Sequence, residues 1–498
     1  MKHLTLNRTT NLINKWGDIL TILLERRATI FLAMAGFTLI FTYASNVIGI
    51  SKFSDDSWAY FELSKTIFSD HFYQFNTTRS YFSTQYSASF PFGYPIVIAI
   101  VQTIVGVSPM VAVIINIAAA IITIWIIFAI FEKFKLPILA RLAIASALLF
   151  YPHYFDEIYG GRAIPLAILM FISAYYASLK NRFFIAGILL GFATLIRFDF
   201  LVYAIIFHIA YFLFNRDQPK FVLFMFFGFL IGVLPWVAYS YIHFSKLWIS
   251  DNSWVALSAI PANVLDYPAA PIKSAFEYPF LEISKLLKNS IRVIISFIRS
   301  SLMFPLLFIF FIFVCLRWKK FNPLIKTRAI IIVSLLPLSV APYILTGYFD
   351  SRYFALIFLC LSGMIVYSIY QSQEGVLSDN NASGLILISL ILTVAVGISF
   401  LSKDIWHGYN QTQEMSKQTA LIKSIQTCHL SDPAKILFFL NNANELASKY
   451  GALTGMRTAL APSNFYDMSS DERYVFLEKM KPYYLFNNLE EVQKCTNL

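Results

Sequence analysis

The sequence predicts an α-helical polytopic membrane protein that crosses the bilayer about eleven times. Of its 498 residues, 58% are hydrophobic and 13% are charged, whereas soluble domains carry roughly 25% charged residues. Apolar runs of about 18 residues or more recur along the chain, which is typical of membrane-spanning helices. The formal net charge is +11, and the charges lie in short clusters between the apolar runs. This placement favours orientation in a membrane over binding of nucleic acid.

The N-terminal region predicts a membrane anchor and no cleaved signal peptide. Residues 28–50 form an apolar run that is too long for the core of a signal peptide and has no small-x-small cleavage site. We therefore predict that they form the first span. In residues 1–27, apolar residues recur at helical spacing beside basic ones. This pattern predicts a cytoplasmic interfacial helix or, alternatively, a helical extension of the first span.

Lys and Arg in the short loops predict the direction of each span, because they accumulate on the cytoplasmic side. The deciding segment is 92–107, which is short and contains Gly93, Pro95 and Gly106. If it does not cross, nearly every short cytoplasmic loop is basic; if it crosses, all later assignments invert. We therefore predict an interfacial helix here, a cytoplasmic N-terminus and an outer C-terminus. The predicted spans are 28–50, 109–131, 138–151, 163–179, 183–196, 200–214, 221–242, 293–316, 329–347, 354–370 and 384–401.

Two long loops are predicted on the outer side of the transmembrane domain, which covers residues 28–401. The first outer loop is 51–108, and it contains the interfacial helix. The long outer loop is 243–290, and it is rich in proline and aromatic residues. This composition predicts either a lid over a substrate groove or an inert interfacial loop.

Residues 402–498 predict a small soluble α/β domain on the outer side, because charge density rises there. Residues 436–440 and 483–486 predict strands, and residues 441–450 predict a helix. Cys428 and Cys495 bracket this domain. They form either a disulfide, which an oxidising compartment would permit, or two free thiols.

Two adjacent carboxylates, Asp55 and Asp56, follow the first span on the outer side. Charged residues at the membrane boundary are costly and usually functional. One of these carboxylates could act as a general base towards an acceptor hydroxyl or amine. Alternatively, Ser54 and the two aspartates cap a helix predicted over residues 57–68.

Three further charged clusters are predicted on the same side. Each cluster also has a simpler structural explanation. The charges could form an ion pair in a solvated loop, an ion pair neutralised within the helix bundle, or an anchor for the end of a helix. Arg352 could instead bind a phosphate through two parallel hydrogen bonds. The clusters are Asp156 and Glu157 with Arg162, Arg197 with Asp199, and Asp350 with Arg352 and Tyr353.

The order and sidedness of these motifs resemble the GT-C class of integral-membrane glycosyltransferases. The nearest resemblance is to the bacterial lipid A aminoarabinose transferases and the protein O-mannosyltransferases. Those families carry a D-[DE]-x-x-x-Y motif in the first outer loop, an interfacial helix rich in aromatic residues and proline, a second acidic site, and two later arginines. The matching residues here are Asp55, Asp56 and Tyr60, 91–108, Asp156 and Glu157, Arg197, and Arg352 with Tyr353.

The resemblance implies a GT-C-like fold over most of residues 28–355 and transfer of a sugar from a polyprenyl-phosphate donor, with inversion. It implies that Asp55 or Asp56 activates the acceptor and that Asp156 and Glu157 form a second acidic site. Enzymes of these two families are expected to need no metal, although the two acidic pairs are compatible with a divalent cation. The expected substrate-binding residues are Tyr60, Arg162, Arg197, Arg352 and Tyr353.

The expected location is a bacterial inner membrane, with an acceptor lipid, glycan or protein on the periplasmic side. Two other functions compete with this one. A transporter or flippase usually shows repeated halves and charges in mid-span, which this sequence does not. A polysaccharide polymerase or ligase resembles it less, because His243 is the only histidine in residues 243–290.

Overall fold

The structure is a computed structural model, and it describes part of the 498-residue chain. The description covers the first outer loop in part, the helices that follow it, and short segments of the C-terminal half. The described residues are 53–70, 72–74, 77–78, 87, 90–149, 151–214, 218–248, 283–302, 344, 351–357, 359–360, 363, 436–439, 457–460, 469–470 and 484–486.

The described part of the chain is mainly α-helical. The helices are α1 (Asp55–Thr66), α2 (Gly93–Val105), α3 (Met110–Lys133), α4 (Ile138–Leu149), α5 (Pro152–Tyr159), α6 (Ile164–Leu179), α7 (Phe183–Ile196), α8 (Phe200–Phe214), α9 (Pro219–Phe244) and α10 (Ile283–Leu302). A 3-10 helix covers Ser351–Phe354. The strands are β1 (Thr77–Thr78), β2 (Ile436–Phe439), β3 (Arg457–Leu460) and β4 (Tyr484–Phe486).

Among the described residues, α3 and α9 are long and apolar enough to cross a membrane. Helices α5 and α6 become a third candidate if they are taken as one span with a bend of 108°. The architecture is therefore compatible with a helical membrane protein. The predicted interfacial helix 1–27 and the predicted spans 28–50 and 384–401 lie outside the described residues, so the total of eleven spans stays a prediction.

Helices α7 and α8 have the bounds predicted for spans 183–196 and 200–214. The helix that contains the start of the span predicted over 293–316 begins earlier, at Ile283. The end of the outer loop predicted over 243–290 is therefore helical. Basic residues in the first half of α10 lower its hydropathy, and this hid the helix from a search for apolar runs.

Helix α2 lies across the ends of neighbouring helices. The hydroxyl of Tyr94, in its first turn, is 3.2 Å from the carbonyl oxygen of Ala112, in the first turn of α3. Two antiparallel spans joined at residues 106–109 would instead separate these positions by roughly 20 Å. A Cβ added at Gly93 would lie 2.5 Å from the carbonyl oxygen of Leu195, in the last turn of α7. This placement supports the prediction that the segment does not cross.

Helices α7 and α9 approach closely through glycine. A Cβ added at Gly187 would lie 1.9 Å from the carbonyl oxygen of Met225, and one at Gly191 would lie 2.7 Å from Cα of Gly232. Gly187 and Gly191 are four residues apart on α7, and Gly228 and Gly232 are four residues apart on α9. Each helix therefore presents a small-xxx-small face. Such faces allow the backbones of membrane helices to pack closely. The contact fixes the position of α7, which ends directly before Arg197.

Charged residues divide between two ends of the helices. At one end, called here the basic face, Lys133 of α3 donates to the carbonyl oxygen of Leu179 in α6. The opposite end, called the carboxylate face, carries Asp56, Glu157 and Asp199. The exposed or half-buried basic residues of the basic face are Lys133, Lys135, Arg141, Lys180, Arg182 and Lys220.

Four strands form a parallel sheet in the order β1-β3-β2-β4. Strands β2 and β4 confirm the strands predicted at 436–440 and 483–486. Strand β1 comes from the first outer loop, and its Thr77 lies opposite Thr458 of β3. These strands of residues 402–498 therefore lie on the same side of a membrane as the first outer loop. Residues 441–450, Cys428 and Cys495 lie outside the described residues.

Candidate functional site

Helix α1 begins at the acidic pair and is capped by serine. The Ser54 backbone N–H donates to Oγ of Ser57 at 3.1 Å, and the two hydroxyl oxygens are 3.2 Å apart. Asp55 and Asp56 take the first two helical positions, where the helix dipole favours negative charge. The helix predicted over 57–68 thus begins two residues earlier. Ser54 therefore fills the N-cap position, and the two aspartates lie in the first turn of the helix.

Arg352 joins two of the predicted clusters. It lies in the 3-10 helix, and its side chain is 8% exposed. Its Nη2 atom is 3.4 Å from Oδ2 of Asp56, and its Nη1 atom is 3.3 Å from Oε1 of Glu157. The two carboxylates come from α1 and α5, so one guanidinium group connects three separate segments of the chain.

Arg162 extends this arrangement. Its Nη1 atom is 3.1 Å from Oε1 of Glu157, and its Nε donates to Oγ of Ser54 at 3.0 Å. We call Asp56, Glu157, Arg162 and Arg352 the ion-pair cluster. With all four side chains ionised, two carboxylates balance two guanidinium groups. A balanced set costs less to bury than an unpaired charge.

The two carboxylates of the cluster differ in access. The side chain of Asp56 is 32% exposed, whereas that of Glu157 is 0% exposed. Asp56 is therefore open to solvent, while the buried Glu157 contacts both arginines. The sequence presents these residues as two similar acidic sites, and burial distinguishes them.

Asn116 and Tyr94 hold the segment that carries Glu157 and Arg162. The Asn116 side-chain amide donates to the carbonyl oxygens of Glu157 at 3.1 Å and Arg162 at 2.7 Å. The Tyr94 hydroxyl is 3.1 Å from both Oδ1 of Asn116 and the carbonyl oxygen of Gly161, and it can donate to either. Sequence reasoning missed both residues. The available signal was a polar Asn in an otherwise apolar helix.

Buried Tyr60 interacts electrostatically with the ion-pair cluster and with a second ion pair. In that pair, Nε of Arg197 donates to Oδ1 of Asp199 at 2.9 Å. Tyr60 interacts electrostatically with both residues and also with Asp56 and Glu157. Burial raises the pKa of Tyr60 above its ordinary value, although Arg197 acts in the opposite direction. The phenol therefore stays neutral at neutral pH.

The remaining predicted residues are less completely described. Asp156 is half-buried, and its carbonyl oxygen accepts the N–H of Gly160 in the turn that leads to Arg162. The side chains of Asp55 and Tyr353 lie outside the described part, so their roles stay predictions. Within that part, no group of three or more His, Cys, Asp or Glu side chains could hold a metal ion.

Replacement of Glu157 by glutamine is expected to destabilise the protein, because Arg162 and Arg352 then lose the carboxylate that they share. Removal of one partner from a buried ion pair costs about 3–5 kcal/mol. Thermal unfolding of the purified protein in detergent should show a lower Tm for Glu157→Gln. The matched control is Asp70→Asn, an exposed carboxylate of the first outer loop, which should leave Tm unchanged. Equal Tm values for Glu157→Gln and the unmodified protein would contradict the shared role.

A family model for glycosyltransferase family 87 matches residues 90–265. The match supports a membrane glycosyltransferase. The matched segment, about a third of the chain, includes Glu157, Arg162 and Arg197 but neither Asp56 nor Arg352. No curated protein matches the chain significantly. The resemblance to the aminoarabinose and O-mannosyl enzymes therefore stays a prediction.

Proposed function

We propose that this protein transfers a sugar from a polyprenyl-phosphate donor to an acceptor at the carboxylate face, with inversion at the anomeric carbon. The observation that carries the proposal is the ion-pair cluster, in which the accessible Asp56 shares the guanidinium of Arg352 with a buried carboxylate. The family match supports the transferase class. A lipid-linked donor suits a site at the ends of apolar helices, because its prenyl chain can remain in the bilayer.

Asp56 would act as the general base. It takes the proton from the acceptor hydroxyl, and the hydroxyl oxygen forms a bond to the anomeric carbon. The bond between that carbon and the phosphate oxygen breaks, and the electron pair leaves with the polyprenyl phosphate. Attack opposite to the departing oxygen inverts the anomeric configuration. A positioned base of this kind contributes typically about 10²- to 10⁴-fold to the rate.

Arg352 would couple proton transfer to departure of the phosphate. The donor phosphodiester carries one negative charge, and the leaving phosphate monoester carries one more after the bond breaks. When Asp56 takes the proton, Arg352 loses the charge of one of its two partners. Its positive charge is then available to the leaving phosphate, which would stabilise the transition state.

The carboxylate face would be the periplasmic face of a bacterial inner membrane. The basic face carries the lysines and arginines of the short loops, and such residues favour the cytoplasm. On this assignment the N-terminus is cytoplasmic, and β3, which pairs with β1, is periplasmic. The acceptor would be a lipid, glycan or protein that presents a hydroxyl or amine there.

A transfer assay with the full-length protein in liposomes tests this proposal. Undecaprenyl-phosphate-linked hexoses and pentoses are supplied separately, with extracted envelope lipids and glycans as acceptors. We expect release of undecaprenyl phosphate from one donor and a covalent product that mass spectrometry shows to be heavier by one sugar. Movement of the donor across the bilayer without any covalent product would contradict the proposal and indicate a transporter.

A further inference from the structure

Helix α10 packs against the 3-10 helix that carries Arg352. The side-chain amide of Asn289 donates to the carbonyl oxygen of Ile344 at 3.1 Å. Val293, one turn later, is buried in the main hydrophobic core. Asn289 and Val293 therefore mark the side of α10 that faces the protein, and α10 lies against the segment that carries Arg352.

The other two sides of α10 differ in chemistry. Leu287, Ile291 and Ile294 are 63%, 50% and 54% exposed and form an apolar side. Lys288 and Arg292 are exposed and lie one turn apart. At about 100° per residue, this basic pair lies between the side that faces the protein and the apolar side.

An exposed pair of basic residues is unusual at this place. Helix α10 packs at the carboxylate face, whereas lysine and arginine favour the opposite, cytoplasmic side of a membrane protein. Lys288 and Arg292 are nevertheless both exposed there. An anionic ligand would account for this exposed basic pair on the disfavoured side.

The ion-pair cluster leaves the charge of a bound phosphodiester without a partner. Arg162 and Arg352 already contact carboxylates at 3.1–3.4 Å, and the cluster is neutral as a whole. A phosphodiester that arrives beside it needs a cation from elsewhere. Lys288 and Arg292 supply two, on a helix that contacts the segment of Arg352.

We propose that Lys288 and Arg292 bind the phosphate of the polyprenyl-phosphate donor, with its hydrocarbon chain along Leu287, Ile291 and Ile294. This inference rests on the proposed function, because it names the place of the donor in that reaction. In the resting complex the basic pair neutralises the single charge of the phosphodiester. Arg352 then meets the second charge, which appears when the bond to the sugar breaks.

Binding of undecaprenyl phosphate to the full-length protein in detergent tests this inference. We compare a Lys288→Gln/Arg292→Gln variant with a Lys135→Gln/Arg182→Gln control, whose two residues are exposed on the basic face. Both variants lose the same charge. Loss of two hydrogen bonds to the phosphate should raise Kd roughly 10- to 100-fold in the first variant, and Kd should stay within about twofold in the control. In the transfer assay, KM for the donor should rise more than kcat falls.

Competition experiments show which phosphate-bearing molecule this site binds. Undecaprenyl phosphate bound to the unmodified protein should resist millimolar inorganic phosphate and an excess of detergent-solubilised phosphatidylglycerol. Displacement by either competitor would overturn the inference in favour of a free phosphate or a general headgroup site. An unchanged Kd in the Lys288→Gln/Arg292→Gln variant would overturn it as well, even if sugar transfer is observed. Because binding needs no turnover, failure of every donor in the transfer assay would refute the proposed function separately.

Discussion

An Asp56→Asn variant is expected to lose nearly all sugar transfer while it remains folded. The amide keeps the shape of the side chain and can still contact Arg352, but it cannot take the proton of the acceptor. Glu157 keeps its contacts with both arginines, so the helices around the cluster should remain in place. The rate should fall by about 10²- to 10⁴-fold. Initial rates of undecaprenyl phosphate release at saturating donor measure this loss.

The matched control for this variant is Asp70→Asn. Asp70 is an exposed aspartate of the same outer loop, and its replacement makes the same chemical change outside the cluster. We expect the control to keep the rate of the unmodified protein, and both variants to unfold at similar temperatures. A normal rate in Asp56→Asn would show that another group is the base.

An Arg352→Ala variant is expected to lose both activity and stability. The side chain contacts carboxylates of α1 and α5, so its removal leaves two negative groups without their shared cation. The stability cost should be about 3–5 kcal/mol. Loss of the group that stabilises the leaving phosphate should lower kcat by about 10²- to 10³-fold.

An Arg352→Lys variant separates the contribution of the positive charge from that of the guanidinium geometry. Lysine keeps the positive charge but cannot present the planar fork that reaches Asp56 and Glu157 together. We expect a rate between those of Arg352→Ala and the unmodified protein, measured in the same release assay with Tm determined in parallel. If Arg352→Ala transferred sugar at the normal rate, the proposed role of the guanidinium would be wrong.

Local sequence patterns predicted the elements whose ends are marked by charge. Helices α7 and α8 have their predicted bounds because Arg182, Arg197 and Asp199 interrupt the apolar runs directly. Strands β2 and β4 were likewise short apolar runs between polar residues. The first part of α10 was missed, because Lys288 and Arg292 lower its hydropathy although its helical period is intact.

Contacts between distant segments could not be predicted in this way. Asp56 and Arg352 are 296 residues apart, and no spacing rule relates positions so far separated. The hydrogen bonds of Asn116 depend on the path of the chain between Glu157 and Arg162, which only the packing of α3 on α5 defines. Burial also distinguishes the two carboxylates, and it arises from neighbours on several helices.

The central claim is that Asp56 and Arg352 act together in one step of sugar transfer. Its most direct test compares the rates of undecaprenyl phosphate release by Asp56→Asn, Arg352→Ala and the double variant. Residues that act as a unit give losses that do not multiply. The account predicts that the double variant is no slower than the slower single variant. Losses that multiply fully, or a normal rate in either single variant, would contradict it.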